Sequence, residues 1–540
     1  MTALWWLIAC GTEPVEPVEP PASCDDSITW DSFAAGYVQT WCTPCHSEHV
    51  AEADRQGAPV GLDFDRWSQV VAWIDRVEAR STGPDADMPP LGGTRPDDVE
   101  RFAGWLRCGA PGADPEPGPC DTLQYADVPA ALNSTADVDA LCLAGNATRS
   151  LVVGGDLAVD CLCAIDGDLE THGTASFARL AEISGSAVVG GPALHAPSLT
   201  TLGADLTVVS ERAETVDLPL LRDVGGSVRF TGPALGSIGL PQLTSVGGDL
   251  LIVEVRSATT IDLSRLRELG GDLRIVDAPS LEVVTGLRAV TRVGGDLQLE
   301  RTRGPAKLDH FRVLTEVGGD VTIASVATLT ELDGFTLLPS AASIRVSDVP
   351  SVSRLSGFDN LLRADALVIE DTPQLTRLDG FVNVAELGAL SVRDAPALVV
   401  IEGLHALTTT GNITLERVAI THTAWLGSLH TLRGDLRAVD LASITSLDGG
   451  PDLAGVGGDV IVQRTPALTA MPLLGRSQSV DGSLVLTETG LADLDDLSEL
   501  LHVGGDLVLV GNLTLSNDAA LVFATGLDVD GDVTVLDNGP

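Results

Sequence analysis

From residue 226 onward a glycine ahead of a short apolar stretch returns at a nearly constant interval. The slots are Gly226, Gly248, Gly271, Gly295, Gly319, Ala342, Asp365, Gly388, Gly411, Gly434, Gly458, Gly482, Gly505 and Gly531. The steps are 22 to 24 residues until a final 26, and weaker copies stand at Gly155, Gly185 and Gly203. A unit this small cannot bury its own apolar side chains, so it must stack on its neighbours, and the period predicts a solenoid. Leu273 and Ile275 alternate inward as a short strand, Pro279 turns the chain, and Leu281 and Leu287 fill the next corners. Stacked coil on coil, each slot becomes an aliphatic ladder. At about 4.8 Å per coil the steps from 226 to 531 would span roughly 60 Å.

The first hundred residues are of another kind. Of the eight Trp, seven (Trp5, Trp6, Trp30, Trp41, Trp67, Trp73 and Trp105) precede residue 106, and only Trp425 falls in the repeats. This predicts a small aromatic-rich domain ahead of the thin aliphatic layers. Arg66 to Val77 sets Trp67, Val70, Val71, Trp73, Ile74 and Val77 mostly along one helical face. A further helix starts near Pro96, with Asp97, Asp98 and Glu100 in the turn where the dipole favours them, and ends before Gly109. Ser134 to Leu143 reads as a short capped helix at the start of the solenoid.

Within the small domain, Cys42-Thr43-Pro44-Cys45-His46 has the C-x-x-C-H spacing that fixes a haem covalently. Two thiols three positions apart reach the two vinyl groups of one porphyrin, and the following imidazole lands under the iron. Met88, in a loop between Asp87 and Pro89, is a candidate second axial ligand, because a neutral thioether favours reduced iron. Three short helices need little core of their own around so large an apolar cofactor. Two other chemistries suit the same residues: a thioredoxin-like redox pair, whose fold needs a β-branched strand that Phe33 to Thr40 does not supply, and a structural zinc on Cys42, Cys45 and His46.

Cysteine number and charge narrow the setting. Of nine cysteines, setting aside Cys42, Cys45 and Cys10 leaves the even set Cys24, Cys108, Cys120, Cys142, Cys161 and Cys163, as an oxidising compartment favours. Cys24 and Cys108 bracket the haem region and are the best candidate disulfide; pairing among the other four is open. A net charge of -44, with Lys307 the single lysine, argues against binding a nucleic-acid backbone, which requires clustered cations. It suits a solvated acidic surface, or one that steers a basic redox partner. Asp249, Asp272, Asp296 and Asp320, resumed by Asp435, Asp459 and Asp506, would stack at the turns as caps beside glycine rather than as calcium ligands. The remaining histidines, His502 among them, are scattered without ligand spacing, and no hydrolytic or phosphate-binding arrangement stands out.

Three resemblances extend this reading. Leu7-Ile8-Ala9-Cys10, closing a short apolar run, resembles the lipobox of bacterial lipoproteins, which implies cleavage before Cys10 and a lipid on it. Residues 24 to 112, with Cys42-Thr43-Pro44-Cys45-His46-Ser47, Met88-Pro89-Pro90 and Trp105-Leu106-Arg107-Cys108-Gly109-Ala110-Pro111, look like the small c-type cytochrome domains of bacterial exported proteins. That likeness implies haem c attached at Cys42 and Cys45, with His46 proximal and Met88 distal. The Gly-Gly-Asp-Leu turns and the Asp-x-Pro-x-Leu pieces, such as Asp277 to Leu281 and Asp371 to Leu375, resemble receptor L-domain and leucine-rich-repeat-like β-solenoids. This last likeness bears on fold and says little of function.

The expected chain is therefore multidomain: a small all-α cytochrome c-like domain followed by a β-solenoid with roughly 23-residue coils. Its parts are a lipoprotein signal (1-10), a Pro/Glu linker (11-23), the haem domain (24-112), a Pro-rich linker (113-120), a solenoid N-cap (121-150) and the solenoid (151-540). The expected function is electron transfer at a membrane-anchored haem, as a carrier or binding protein rather than an enzyme. It would sit in the bacterial cell envelope, lipid-anchored at the outer membrane and periplasmic or surface-exposed. Its expected partners are a redox protein, the membrane through the lipid, and a protein or glycan ligand on the solenoid. The alternative is a surface recognition or adhesion lipoprotein with an accessory haem domain.

Overall fold

In the computed structural model the described residues are 24–540, apart from 26, 48–49, 51–54, 60–61, 83–85, 90–93, 113–119, 121, 127–130, 210–214 and 286. Cys10 and the first linker lie outside them. The chain divides into two compact units, Met1–Gly118 and Pro119–Pro540.

The described elements of the first unit are all helical. A π-helical turn, Trp30–Ala34, runs into α1 (Ala35–Trp41); α2 (Trp67–Val71), α3 (Ile74–Ser81) and α4 (Pro96–Arg107) follow. Where the sequence predicts one helix over 66 to 77 there are two. The chain leaves α-helical geometry at Trp73 (φ -121°, ψ 20°), and the Trp73 ring, expected on the buried face, is 42% exposed. Pro96 opens α4, where its missing N–H costs nothing. Phe102 from α4 stacks between Tyr37 of α1 and Trp105 of its own helix, and Trp105 packs on Trp30. The Cys24–Cys108 disulfide closes the unit. The segment after it is held by Trp67 Nε1 donating to the Ala110 carbonyl at 2.8 Å and Trp105 Nε1 to that of Pro111 at 3.0 Å.

The second unit is a parallel β-solenoid. Its main face is a 24-stranded sheet whose strands pair in register with the next coil, Leu250 with Leu273, Leu273 with Leu297 and Leu297 with Val321. Leu151 to Val533 is seventeen such steps. The first steps are short: Leu151 pairs with Leu169 and Leu169 with Ala187, 18 residues apart, before the period settles near 23. The slot at this corner is therefore Gly167-Asp168-Leu169. Gly155 precedes Leu157, which belongs to the seven-stranded sheet on another face, so its likeness to the repeat glycines is accidental.

The turn chemistry explains the Gly-Gly-Asp text. A Cβ on Gly270 would sit 2.0 Å from the carbonyl oxygen of Gly247 in the coil below, and one on Gly271 would sit 2.0 Å from Asp249 Oδ1. Both glycines are required by close approach. Each Asp carboxylate then accepts the backbone N–H of the next coil: Asp249 from Asp272 at 2.8 Å, Asp272 from Asp296 at 2.8 Å, Asp296 from Asp320 at 3.0 Å. Capping thus occupies an oxygen of each carboxylate in this part of the ladder. At the other end of the strand a non-glycine residue takes positive φ in coil after coil, Asp277 (56°), Arg301 (49°), Asp371 (52°) and Arg417 (53°) among them.

Inside, Phe311, Phe335, Phe358 and Phe381 stack in consecutive coils with ring centroids 4.9 to 5.2 Å apart. At the N-terminal end α5 (Thr135–Ala144) is capped by Ser134 and covers the first coils. There Cys120 pairs with Cys163 and Cys142 with Cys161. Near the other end α6 (Asn517–Thr525) is inserted in a coil.

Candidate functional site

The end of α1 brings the motif cysteines and histidine onto one turn. Cys42 caps the helix, its N–H donating to the Val38 carbonyl at 2.8 Å, and the N–H of His46 donates to the Cys42 carbonyl at 2.8 Å. Cys42 and Cys45 are free thiols, whereas the other six described cysteines are all bonded in pairs.

The segment 62 to 64 grips the histidine from three directions. His46 Nδ1 lies 2.9 Å from the Leu62 carbonyl, the Phe64 N–H donates to the His46 carbonyl at 2.8 Å, and the Phe64 ring packs 4.9 Å from the imidazole. A carbonyl can only accept, so Nδ1 carries a proton, and Nε2 is the nitrogen left for a metal. That is how proteins orient a metal-binding imidazole. Nε2 has no partner among the described residues.

Behind the segment stands Arg55, 2% exposed. It donates to the carbonyls of Ser47 (2.7 Å), Pro59 (2.9 Å) and Leu62 (3.2 Å), and pairs with Asp63 at 2.5 Å. The irregular loop around His46 is therefore held by one buried guanidinium. Nothing in the sequence around Arg55 marks this role, since its partners are mostly backbone carbonyls.

Met88 comes from a separate loop. Its N–H and that of Asp87 both donate to the Arg80 carbonyl, at 2.9 and 3.0 Å. Arg80 Nη2 closes the loop on the Asp87 carboxylate at 2.7 Å. This bond holds the Asp87 carboxyl below its ordinary range and raises the Arg80 guanidinium above its own.

Cys42, Cys45, His46, Met88 and Pro89 line one cavity of about 320 Å³, together with Trp41, Leu62, Phe64, Trp73 and Val77. That volume is at the lower end for small-molecule sites, which run from about 300 to 1,000 Å³. Tyr37 and Arg55 also line it, and each has a buried polar atom, Oη and Nε, without a hydrogen-bond partner among the described residues. Burial pushes the Cys42 thiol up to about 12, and burial with the nearby Cys42 does the same to the Tyr37 phenol.

In the solenoid, the aspartate ladder lapses at Ser343, Ala366 and Ala389 and resumes with Asn412, which accepts the Asp435 N–H at 2.9 Å. Across these coils a groove of about 510 Å³ is lined by Arg363, Asp365, Glu386 and Arg433 over small residues. Arg363 and Arg433 have no ion-pair partner among the described residues. Among the described residues no helix is long and apolar enough to cross a membrane.

No protein-family model and no curated protein matches the chain. Four chains of solved structures do. One comes from the crystal structure of a TLR13-ssRNA13 complex, 12% identical over 70% of this chain and 85% of that one, with a TM-score of 0.19. At that score the likeness carries no inference about ligand.

Proposed function

We propose that the first unit binds one haem c for electron transfer, with Cys42 and Cys45 as the thioether attachment points, His46 as proximal ligand and Met88 as distal ligand. The observation that carries this reading is the His46 tautomer. With Nδ1 committed to Leu62, only Nε2 is left to bind a metal, in the cavity that two free thiols and Met88 also line. The residues fit the group chemically: two thiols for the vinyls, an imidazole and a thioether for the iron, and Tyr37 Oη and Arg55 Nε, without partners among the described residues, as donors for carboxylates. A haem would supply a reversible one-electron couple.

The chain's own part is to hold and dry the site. Arg55 fixes the loop carrying the Leu62 carbonyl, Arg80 fixes the loop carrying Met88, and Trp41, Phe64 and Val77 give the cavity apolar walls. The raised Cys42 thiol argues against the thioredoxin-like alternative, which requires an acidified first cysteine. So does the helical character of every described element in this unit. On this reading the protein belongs to the bacterial cell envelope with a lipid on Cys10, and the lipobox-like residues Leu7 to Cys10 are what supports it.

The test is a reduced-minus-oxidised visible spectrum of protein exported from a host that matures haem c. Covalent haem with a weak far-red band of methionine-to-ferric-iron ligation is expected. The haem should vanish in Cys42→Ala/Cys45→Ala, and the band alone in Met88→Ala. Protein without covalent haem from that host would overturn the reading.

A second role, recognition of a protein or glycan by the solenoid, is favoured by the groove that opens where the aspartate ladder lapses, lined by Arg363 and Arg433, which have no ion-pair partner among the described residues. If the groove binds, Arg363→Ala/Arg433→Ala in the full chain reduces adhesion to envelope or glycan panels while the haem spectrum is unchanged.

A further inference from the structure

Five solenoid histidines stand beside carboxylates, and four of them, His172, His195, His310 and His430, face one each. His502 faces two. Its Nδ1 lies 3.6 Å from Asp528 and its Nε2 lies 3.8 Å from Asp530. One donor atom from each of the three residues can be chosen so that all lie within 4.8 Å of one another, the one such group among the described residues.

The arrangement is built by the ladder. His502 and Asp528 are register partners on adjacent coils. The Asp528 N–H donates to the Leu501 carbonyl at 2.9 Å and the Asp530 N–H to the Val503 carbonyl at 3.0 Å, the residues on either side of His502. Asp528 and Asp530 are both exposed while Val529 between them is partly buried, so strand alternation sends both carboxylates to the imidazole's side. The backbone thus holds one donor atom from each of the three residues within 4.8 Å of the others without a flexible loop. In the preceding coils the His502 position is Ser479 and Gly455, which explains why the group occurs once.

We propose that His502, Asp528 and Asp530 form a site for a divalent transition cation, zinc in the first instance, which bridges two consecutive coils. Two carboxylates balance the double charge, and the imidazole favours zinc over calcium, which takes oxygen ligands. Water completes the coordination. The spacing is hidden in the sequence because the ligands are brought together by one full coil that includes α6, and the reading of His502 as an isolated histidine is corrected by the register.

The test is calorimetric titration of zinc chloride into the full chain, His502→Ala and Asp530→Asn, in a buffer that does not bind metal. All three donors are on the surface, so the variants should fold, which circular dichroism checks. His502→Ala should lose one equivalent of bound zinc relative to the parent, and Asp530→Asn should bind that equivalent at least tenfold more weakly. Zinc should raise the melting temperature of the parent more than that of His502→Ala. Equal stoichiometry and affinity in all three chains would overturn the proposal. The site is independent of the haem reading, since the N-terminal unit is unchanged in all of them.

Discussion

The Leu62 carbonyl is shared by two donors, His46 Nδ1 at 2.9 Å and the Arg55 guanidinium at 3.2 Å. A buried cation and the candidate metal-binding imidazole therefore meet on one oxygen. Removing Arg55 leaves Asp63 and three carbonyls short of a donor in a site that is almost closed to water. Arg55→Ala should destabilise the first unit by about 3–5 kcal/mol, the cost of breaking a buried ion pair by removing one partner. Urea unfolding followed by tryptophan fluorescence reads this directly, because seven of the eight Trp precede residue 106.

Before haem attachment the unit should lose stability in alkali. Cys42 is raised from 9.0 to about 12 and Tyr37 from 10.0 to about 12, so the folded chain retains two protons that the unfolded chain has released. The unfolded state then binds fewer protons, and stability falls as pH rises between about 9 and about 12. Melting of the haem-free protein between pH 8 and pH 11.5 should show this fall. Cys42→Ala and Tyr37→Phe should each flatten it.

The phenylalanine stack sets the middle of the solenoid. Phe335 is fully buried, with Phe311 on one side and Phe358 on the other. Phe335→Ala should cost about 3–5 kcal/mol. Coils of a solenoid are stabilised by their neighbours, so the whole unit's urea midpoint should drop while the first unit's fluorescence transition does not shift.

The Gly-Gly-Asp turns should tolerate neither bulk nor loss of the acceptor. Gly270→Ala drives a methyl into the Gly247 carbonyl, a backbone atom that cannot rotate away, and should cost at least the roughly 1–3 kcal/mol of an overpacked site. Asp272→Ala strands the Asp296 N–H and should cost about 1–3 kcal/mol. Calcium at millimolar concentration should leave the melting temperature where it is, since the ladder carboxylates already cap backbone amides.

The period, the apolar ladders and the turn text are properties of neighbouring residues, and the solenoid with coils of about 23 residues was legible from them. So was the C-x-x-C-H spacing, because both thiols and the imidazole fall on a single turn after α1. Close approach between coils could not be read from one repeat alone. The 18-residue first coils and the displacement of Gly155 to another face depend on which strand hydrogen-bonds to which. The break of the predicted 66–77 helix at Trp73 is not written in the periodicity, which runs through that residue. Pairing of Cys120 with Cys163 and Cys142 with Cys161, the grip of Leu62 and Arg55 on His46, and the meeting of His502 with Asp528 and Asp530 all join residues distant in sequence. Local sequence chemistry determined what each coil and motif could be, and tertiary contact decided which side chains meet, because distance along the chain does not encode distance in space.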